Sequence, residues 1–327
     1  MLLLGTLDAF AGAIVIGYSN AVSVSSYPLS TMQRVGRLRW FFAHASVGEN
    51  IMTGLESLHA ADPGFYPLTR CWQTNEFPPA ATQAGSFYEF WRGNPGWRAK
   101  VDDFNRYVGN GWHYPLVDII MNKFCFIDPD ADVNYYISSS SALERTNPST
   151  RFVYVTIPLQ TDEEYDNYRR NLFNDSLRTW VRANNRILLD LADIEAHDTN
   201  GLPQTFVYSD RVCQNLFDGY SADGGHLTTT TAQEMAAKGI YALGAALLDF
   251  IPDMNLQIRG LNGDLFQLEF YASANLTYTV QCCSQLGSGS WQTLATLPPQ
   301  SYERSVLISD STAAGPQRFY RVSAQRP

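Results

Sequence analysis

Residues 37–60 read RLRWFFAHASVGENIMTGLESLHA. The first seven, Arg37 to Ala43, are β-prone, and His44-Ala45-Ser46 is turn-like. From there Val47, Ile51, Leu55 and Leu58 recur at helical spacing. The stretch is therefore a strand, a tight turn and a helix, with Ser46 where the strand ends and the helix opens. A hydroxyl at that point lies at the carboxyl edge of a parallel sheet, where open α/β proteins keep their sites. The amide N–H groups of a helix start favour negative charge there. Gly48 lets the chain turn closely.

Downstream, strands and helices alternate. Lys100 to Val108 has helical spacing, and Val117 to Phe126 (VDIIMNKFCF) is a continuous apolar run, the mark of a buried strand. Arg151 to Ile157 (RFVYVTI) is a further strand, Tyr165 to Ala183 an amphipathic helix, and Arg186 to Leu191 (RILLDL) another strand. Thr231 to Phe250 forms the last helix, opened by a Thr231–Glu234 capping box. This alternation predicts an α/β fold with a doubly wound parallel sheet covered on both faces. Between Asp62 and Gly96, Pro and Gly break the pattern while Trp72, Phe77, Phe87, Tyr88, Phe90 and Trp91 accumulate, with Trp97 following. The segment reads as a long irregular insertion, either a functional lid-like loop or a second aromatic mini-core.

The character changes at Pro252. The segments LFQLEFYA, LTYTVQCC, WQTLATL, RSVLIS and RFYRVSA are short, alternating and separated by Gly, Asn, Ser and Pro. They predict a small all-β sandwich of about 70 residues. The chain thus divides into 1–36, 37–252 and 253–327. Residues 1–36 open with an apolar run, Met1 to Tyr18, followed by small polar residues. That order fits a secretory leader, although no Lys or Arg precedes it and Asp8 interrupts it. The other reading is an apolar strand of the fold.

A length of 327 residues suits two domains. The formal net charge of -9, with no basic stripe, argues against a nucleic-acid partner. The five cysteines (Cys71, Cys125, Cys213, Cys282 and Cys283) include no CxxC pair, which argues against a zinc site. Asp128, Asp130 and Asp132 alternate as in a calcium loop, but the turn Gly and closing Glu of an EF-hand are missing, so no metal is read.

Tyr220 to Leu227 reads YSADGGHL, a Gly-rich loop before the last helix. Its Asp223 and His226 are spaced so that the carboxylate can fold onto the imidazole Nδ1, leaving Nε2 for a serine. Acyl transfer by serine needs such a base and orienting acid, together with donors for an oxyanion. Alone, a Ser after a strand is usually a helix cap. A serine after the first strand together with an Asp-x-x-His before the last helix is far more specific.

These blocks resemble the SGNH/GDSL hydrolases, which are esterases and lipases on a flavodoxin-like sheet. The match is to a divergent branch whose first block reads His-x-Ser-Val-Gly, here His44, Ser46, Val47 and Gly48, and whose last is DGGHL. The similarity spans roughly residues 38–248. It implies Ser46 as nucleophile, His226 as base and Asp223 as orienting acid, with no cofactor. The middle blocks depart from the family. Gly93, with Gly96 second, stands for the oxyanion glycine. Asn122 stands for the block III amide, with Lys123 or the Cys125 region as alternatives lining the site. His44, Trp91 and Trp97 are substrate-binding candidates, His44 also having a structural reading. His59, His113 and His197 read as structural or surface residues. The C-terminal module resembles small β domains that end many secreted bacterial proteins, through Tyr278-Thr279-Val280-Gln281, Trp291 and Phe319-Tyr320-Arg321-Val322.

The expectation is a secreted or cell-surface serine esterase acting on a carboxylic ester, one form being acetyl groups on a polysaccharide. Residues 253–327 would serve attachment to a surface or glycan. The rival reading is a non-catalytic glycan-binding or surface-assembly protein on the same fold. Oligomeric state is not legible.

Overall fold

A computed structural model describes residues 12–71, 85–109, 117–147, 150–162, 164–248, 250, 257–260, 266–272, 276–284, 291–302, 304–310 and 318–325. They fall into two compact units, Phe10–Ala246 and a second that contains Leu247–Pro327.

In chain order the first unit comprises β1 (Ile14–Ile16), α1 (Tyr18–Ser23), α2 (Leu29–Val35), β2 (Trp40–His44), α3 (Val47–Ala61), β3 (Thr69–Cys71) and β4 (Ser86–Trp91). There follow α4 (Trp97–Gly109), β5 (Ile119–Asn122), α5 (Val133–Thr146), β6 (Arg151–Val155), α6 (Glu164–Ala183) and β7 (Ile187–Leu189). The unit ends with α7 (Leu191–Ala196), a hairpin of β8 (Thr205–Tyr208) and β9 (Arg211–Gln214), and α8 (Thr230–Leu247). Seven strands form one sheet in the order β1-β7-β6-β5-β2-β4-β3, and every neighbouring pair runs parallel. This is the doubly wound α/β sheet expected from the alternation.

The continuous apolar runs follow from burial on both faces. On one face Phe41, Phe90, Ile120 and Phe152 pack with Phe104 of α4 and Leu143 of α5, while Tyr154 and Leu188 pack with Phe173 and Leu177 of α6. On the other, α8 lies against Trp40 and Leu189, where a Cβ added at Gly244 or Gly239 would meet those side chains at 3.1 and 3.3 Å. Gly54 brings α3 equally close to α8, since a Cβ there would stand 2.0 Å from the Gln233 carbonyl oxygen.

The structure corrects five readings. Ile14–Ile16 pairs with Ile187–Leu189 as an edge strand, and Met32 and Val35 of α2 are fully buried, so the α/β unit begins well before residue 37. Ser86–Trp91 is no part of an irregular insertion. It is strand β4, paired with both β2 and β3. Its aromatics fill both faces of the sheet, so it lacks the alternation that marks a strand. Residues 72–84 of that insertion, with Trp72 and Phe77, lie outside the described residues, as does His113. Helix α5 was missed because its serine-rich middle hides the apolar positions. The apolar run 117–126 is a strand only to Asn122, after which Asp128 accepts the Cys125 N–H at 2.8 Å and turns the chain. Finally, α8 is capped by Thr229, whose Oγ1 accepts the Ala232 N–H at 3.3 Å, while Glu234 accepts a hydrogen bond from Ser57 Oγ at 2.7 Å.

In the second unit, β10 (Gln257–Gly260), β11 (Phe266–Ala272), β12 (Thr277–Cys283), β13 (Gln292–Leu297), β14 (Arg304–Asp310) and β15 (Phe319–Gln325) form two antiparallel sheets, β10-β11-β14 and β13-β12-β15. Leu268, Phe270 and Val306 of the first share one core with Tyr278, Val280, Tyr320 and Val322 of the second. The buried Asp310 carboxylate accepts from Arg318 Nε at 2.8 Å and Tyr320 OH at 3.1 Å. Each of the five cysteines is free.

Candidate active site

Ser46 joins β2 to α3 with φ 57° and ψ −117°, a conformation that residues other than glycine rarely adopt. Such strain costs about 1–3 kcal/mol and persists where the surroundings over-determine it. Its Oγ lies 2.6 Å from His226 Nε2, and His226 Nδ1 lies 2.7 Å from Asp223 Oδ2. The three side chains sequence reasoning singled out, 180 residues apart along the chain, thus form one hydrogen-bonded relay.

The His226 loop is held from several sides. Leu227 N–H donates to Asn50 Oδ1 of α3 at 3.1 Å, and Thr161 N–H donates to the Gly224 carbonyl at 2.9 Å. The imidazole packs edge-on against Phe126, with ring centroids 5.1 Å apart. Gly225 is required there, because a Cβ would stand 2.6 Å from the same ring. Asp223 Oδ1 accepts the N–H of His226 at 2.8 Å, the N–H of Gly225 at 3.1 Å and the Ser221 hydroxyl at 3.1 Å. Desolvation pulls the Asp223 carboxyl upward, but these two amides and the imidazole outweigh it and hold it far below the usual carboxylate range. It is therefore an acceptor throughout the neutral range, and the Nδ1–H tautomer of His226 is the one it fixes, with Nε2 free to take a proton from Ser46.

Around Ser46 the sequence expectations divide. Gly93 follows β4 with φ 69°, and among the described residues nothing lies within 4 Å of where its Cβ would be, so this stretch of backbone is open to a substrate. Asn94, not singled out from sequence, meets the Cys125 thiol, and the same thiol meets Ser46. Burial pushes that thiol up, but Lys123, the Ile127 N–H and the Ser46 and Asn94 side chains outweigh it and bring it below the ordinary thiol value. Asn122 is not at the site in the role expected. It is buried, lines a small internal cavity with Phe104, Tyr136 and Phe152, and its Oδ1 has no hydrogen-bond partner among the described residues. The residue ends the strand on the helix-packed face of the sheet, so its amide joins the interior.

His44 is also corrected as a substrate contact. It is fully buried, with Nε2 3.0 Å from Glu89 Oε2. Desolvation lowers its pKa despite Glu89, so the ring is neutral and donates Nε2–H to that carboxylate. Trp97 packs edge-on against Tyr135 at 5.8 Å and is partly buried in the core. Trp91, at the end of β4, remains exposed and rests edge-on against His44 at 5.7 Å. Lys123 is buried and pushed down to about 8 by desolvation, with Nζ donating to the Phe124 carbonyl at 2.6 Å.

The three alternating aspartates are each engaged: Asp128 by Lys100, Asp130 by Arg169, and Asp132 by the N–H groups of Asn134 and Tyr135 at the start of α5. Acceptor atoms of His44, Glu49 and Glu89 gather within 4.8 Å of one another, as in a metal-ligand set. The Arg70 guanidinium binds both carboxylates, so the cluster carries its own cation.

No family model matches the chain, and no curated protein matches it. Solved structures do. A Desulfitobacterium hafniense DCB-2 protein described as lipolytic and of the G-D-S-L family matches with a TM-score of 0.38 at 7% identity, over 63% of this chain and 99% of that one. A Streptococcus pneumonia protein described as a platelet activating factor matches with a TM-score of 0.38 at 16% identity, over 72% and 92%. A Campylobacter jejuni protein matches 22% of this chain and 83% of its own, at 13% identity and a TM-score of 0.16. Likenesses of this strength leave the chemistry to be read from the site itself.

Proposed function

We propose that the chain is a serine hydrolase that cleaves a carboxylic ester through an acyl-Ser46 intermediate. The observation that carries the reading is the unbroken Ser46–His226–Asp223 relay, with contacts of 2.6 and 2.7 Å, on a strained strand-to-helix turn. In the first step His226 Nε2 takes the Ser46 proton as Oγ attacks the ester carbonyl carbon. The resulting oxyanion is held by the amide N–H groups at the start of α3 and on the Gly93 loop, and by the Asn94 side-chain amide. His226 returns its proton to the departing alcohol. Water, deprotonated by the same nitrogen, then releases the acid and regenerates Ser46.

A fluorophosphonate serine probe tests this directly. Labelling at Ser46, located by peptide mass and lost in Ser46→Ala, is the expected result. A folded protein that takes no label removes the esterase reading and favours the non-catalytic glycan-binding one. The donor assignment makes a second prediction. Asn94→Ala should slow ester turnover about 10²- to 10³-fold, the range for loss of one oxyanion donor, with thermal stability unchanged because the side chain is exposed. An unchanged rate would remove Asn94 from the oxyanion site.

The finer substrate proposal, an acetyl group on a polysaccharide, draws support from the exposed Trp91 indole beside the strand that leads to Ser46. A flat apolar face of this kind stacks on sugar rings. Acetate release from acetylated glycans, compared with short aryl esters, tests it. Export, and attachment through residues 253–327, rest on the module's sequence resemblance alone. Binding of the intact chain to insoluble polysaccharide, compared with a chain ending at residue 252, is their measurement.

A further inference from the structure

We infer that Arg70, Glu89, Glu49 and His44 form a buried clamp that holds Ser46 in its strained conformation, and that they act as positioning residues for the nucleophile. The role rests on the reading of Ser46 as that nucleophile. The clamp bridges the two sides of the turn. On the strand side His44, two residues before Ser46, donates from Nε2 to Glu89 Oε2 at 3.0 Å. On the helix side Glu49, three residues after Ser46, accepts from Arg70 Nη1 at 2.7 Å and Nη2 at 2.6 Å. Arg70 closes the path by donating to Glu89 as well, from Nε and from Nη2 at 2.8 Å. The path 44–89–70–49 thus ties β2, β4, β3 and the first turn of α3 around the residue with φ 57°.

Three features mark this as more than a surface ion pair. The side chains of His44, Glu89 and Arg70 are 0, 1 and 5% exposed, with only Glu49 at 33%, so the charges are shielded from salt and water. Arg70 meets both carboxylates with its planar fork, which fixes direction as well as distance. The His44 side chain also closes directly on α3 at Gly48, where any Cβ would approach its Cβ, Nδ1 and Cγ to within 2.5–2.7 Å. The ring sets how far the helix start can sink toward the sheet, and the guanidinium sets how far it can rise. With both limits in place the junction residue has no room to relax to a negative φ.

The test uses Glu89→Gln and Arg70→Lys in the full chain. Each keeps side-chain bulk, and the second keeps the charge while losing the fork. Crystal structures report the backbone at residue 46, and probe labelling is resolved into a maximal rate and a half-saturation concentration. The expected result is a φ at residue 46 that leaves the positive region, with a maximal labelling rate at least tenfold lower and a half-saturation concentration unchanged. Partly exposed Glu49→Gln, which removes only the outer contact, should lower the rate less and supplies a variant that folds if the buried ones do not. Retention of φ near its parent value in folded variants would overturn the inference, whatever the labelling rate. A parent that takes no label while the variants lose the conformation would sink the hydrolase reading and leave the clamp standing.

Discussion

Replacing His226 with alanine is expected to lower the rate of Ser46 acylation by about 10⁴- to 10⁶-fold. Among the described residues, Nε2 of this histidine is the ring nitrogen within hydrogen-bond reach of Ser46 Oγ, at 2.6 Å. The size of the loss is that of a residue acting as a unit with its partners, so Ser46→Ala with His226→Ala should be no worse than either alone. Asp223→Asn should cost about 10⁴-fold, because an amide in that place favours the wrong imidazole tautomer. The loop should survive that change, as its asparagine oxygen can still accept the N–H groups of Gly225 and His226 that Asp223 Oδ1 accepts now. Time courses of fluorophosphonate labelling and of aryl-ester cleavage measure all three. Equal rates for parent and His226→Ala would mean that the close contact is a packing feature only. Cys125→Ser serves as a control, since its thiol meets Ser46 and must be separated from the serine as the labelled atom.

The second large effect is on stability. Lys100→Met should destabilise the α/β unit by about 3–5 kcal/mol, the usual cost of removing one partner from a buried ion pair. Lys100 and Asp128 are 1 and 3% exposed, and the ammonium binds Asp128 Oδ2 directly. That same oxygen accepts the Cys125 N–H, so the lysine neutralises the carboxylate that turns the chain beside Ser46. Against a typical total of about 5–15 kcal/mol the loss is severe, and at about 2–4 °C per kcal/mol for a unit of this size it should lower the unfolding temperature by roughly 10 °C. Replacing both partners with apolar residues should restore much of the loss, because no buried charge is then left unpaired. Thermal unfolding of the single and double variants checks this. A single variant within 1 kcal/mol of the parent would show that water reaches the pair.

The relation between sequence and structure differs from element to element. Strand β2, its turn and α3 were legible because one short stretch carries a β-prone run, a break and a helical repeat in succession. The Asp223–His226 pair was legible because its spacing is local: three residues bring carboxylate and imidazole together within one loop. Strand β4 was not, because the aromatic residues of SFYEFW serve both faces of the sheet, and alternation disappears when both faces are buried. The same effect made the run after Val117 look like one strand, although the chain leaves the sheet at Asn122.

Residue identity, local periodicity and close spacing, then, determined by themselves the α/β class, the serine at the strand end and its histidine and aspartate. Only the tertiary structure decided which polar groups share an environment. It turned Asn122 inward, brought Asn94 and Cys125 to the serine, and buried His44 under Glu89 and Arg70. These contacts join residues on different strands and loops, so they arise from the order of strands in the sheet. That order is a property of how long-range pairings close on one another, and no local pattern encodes it.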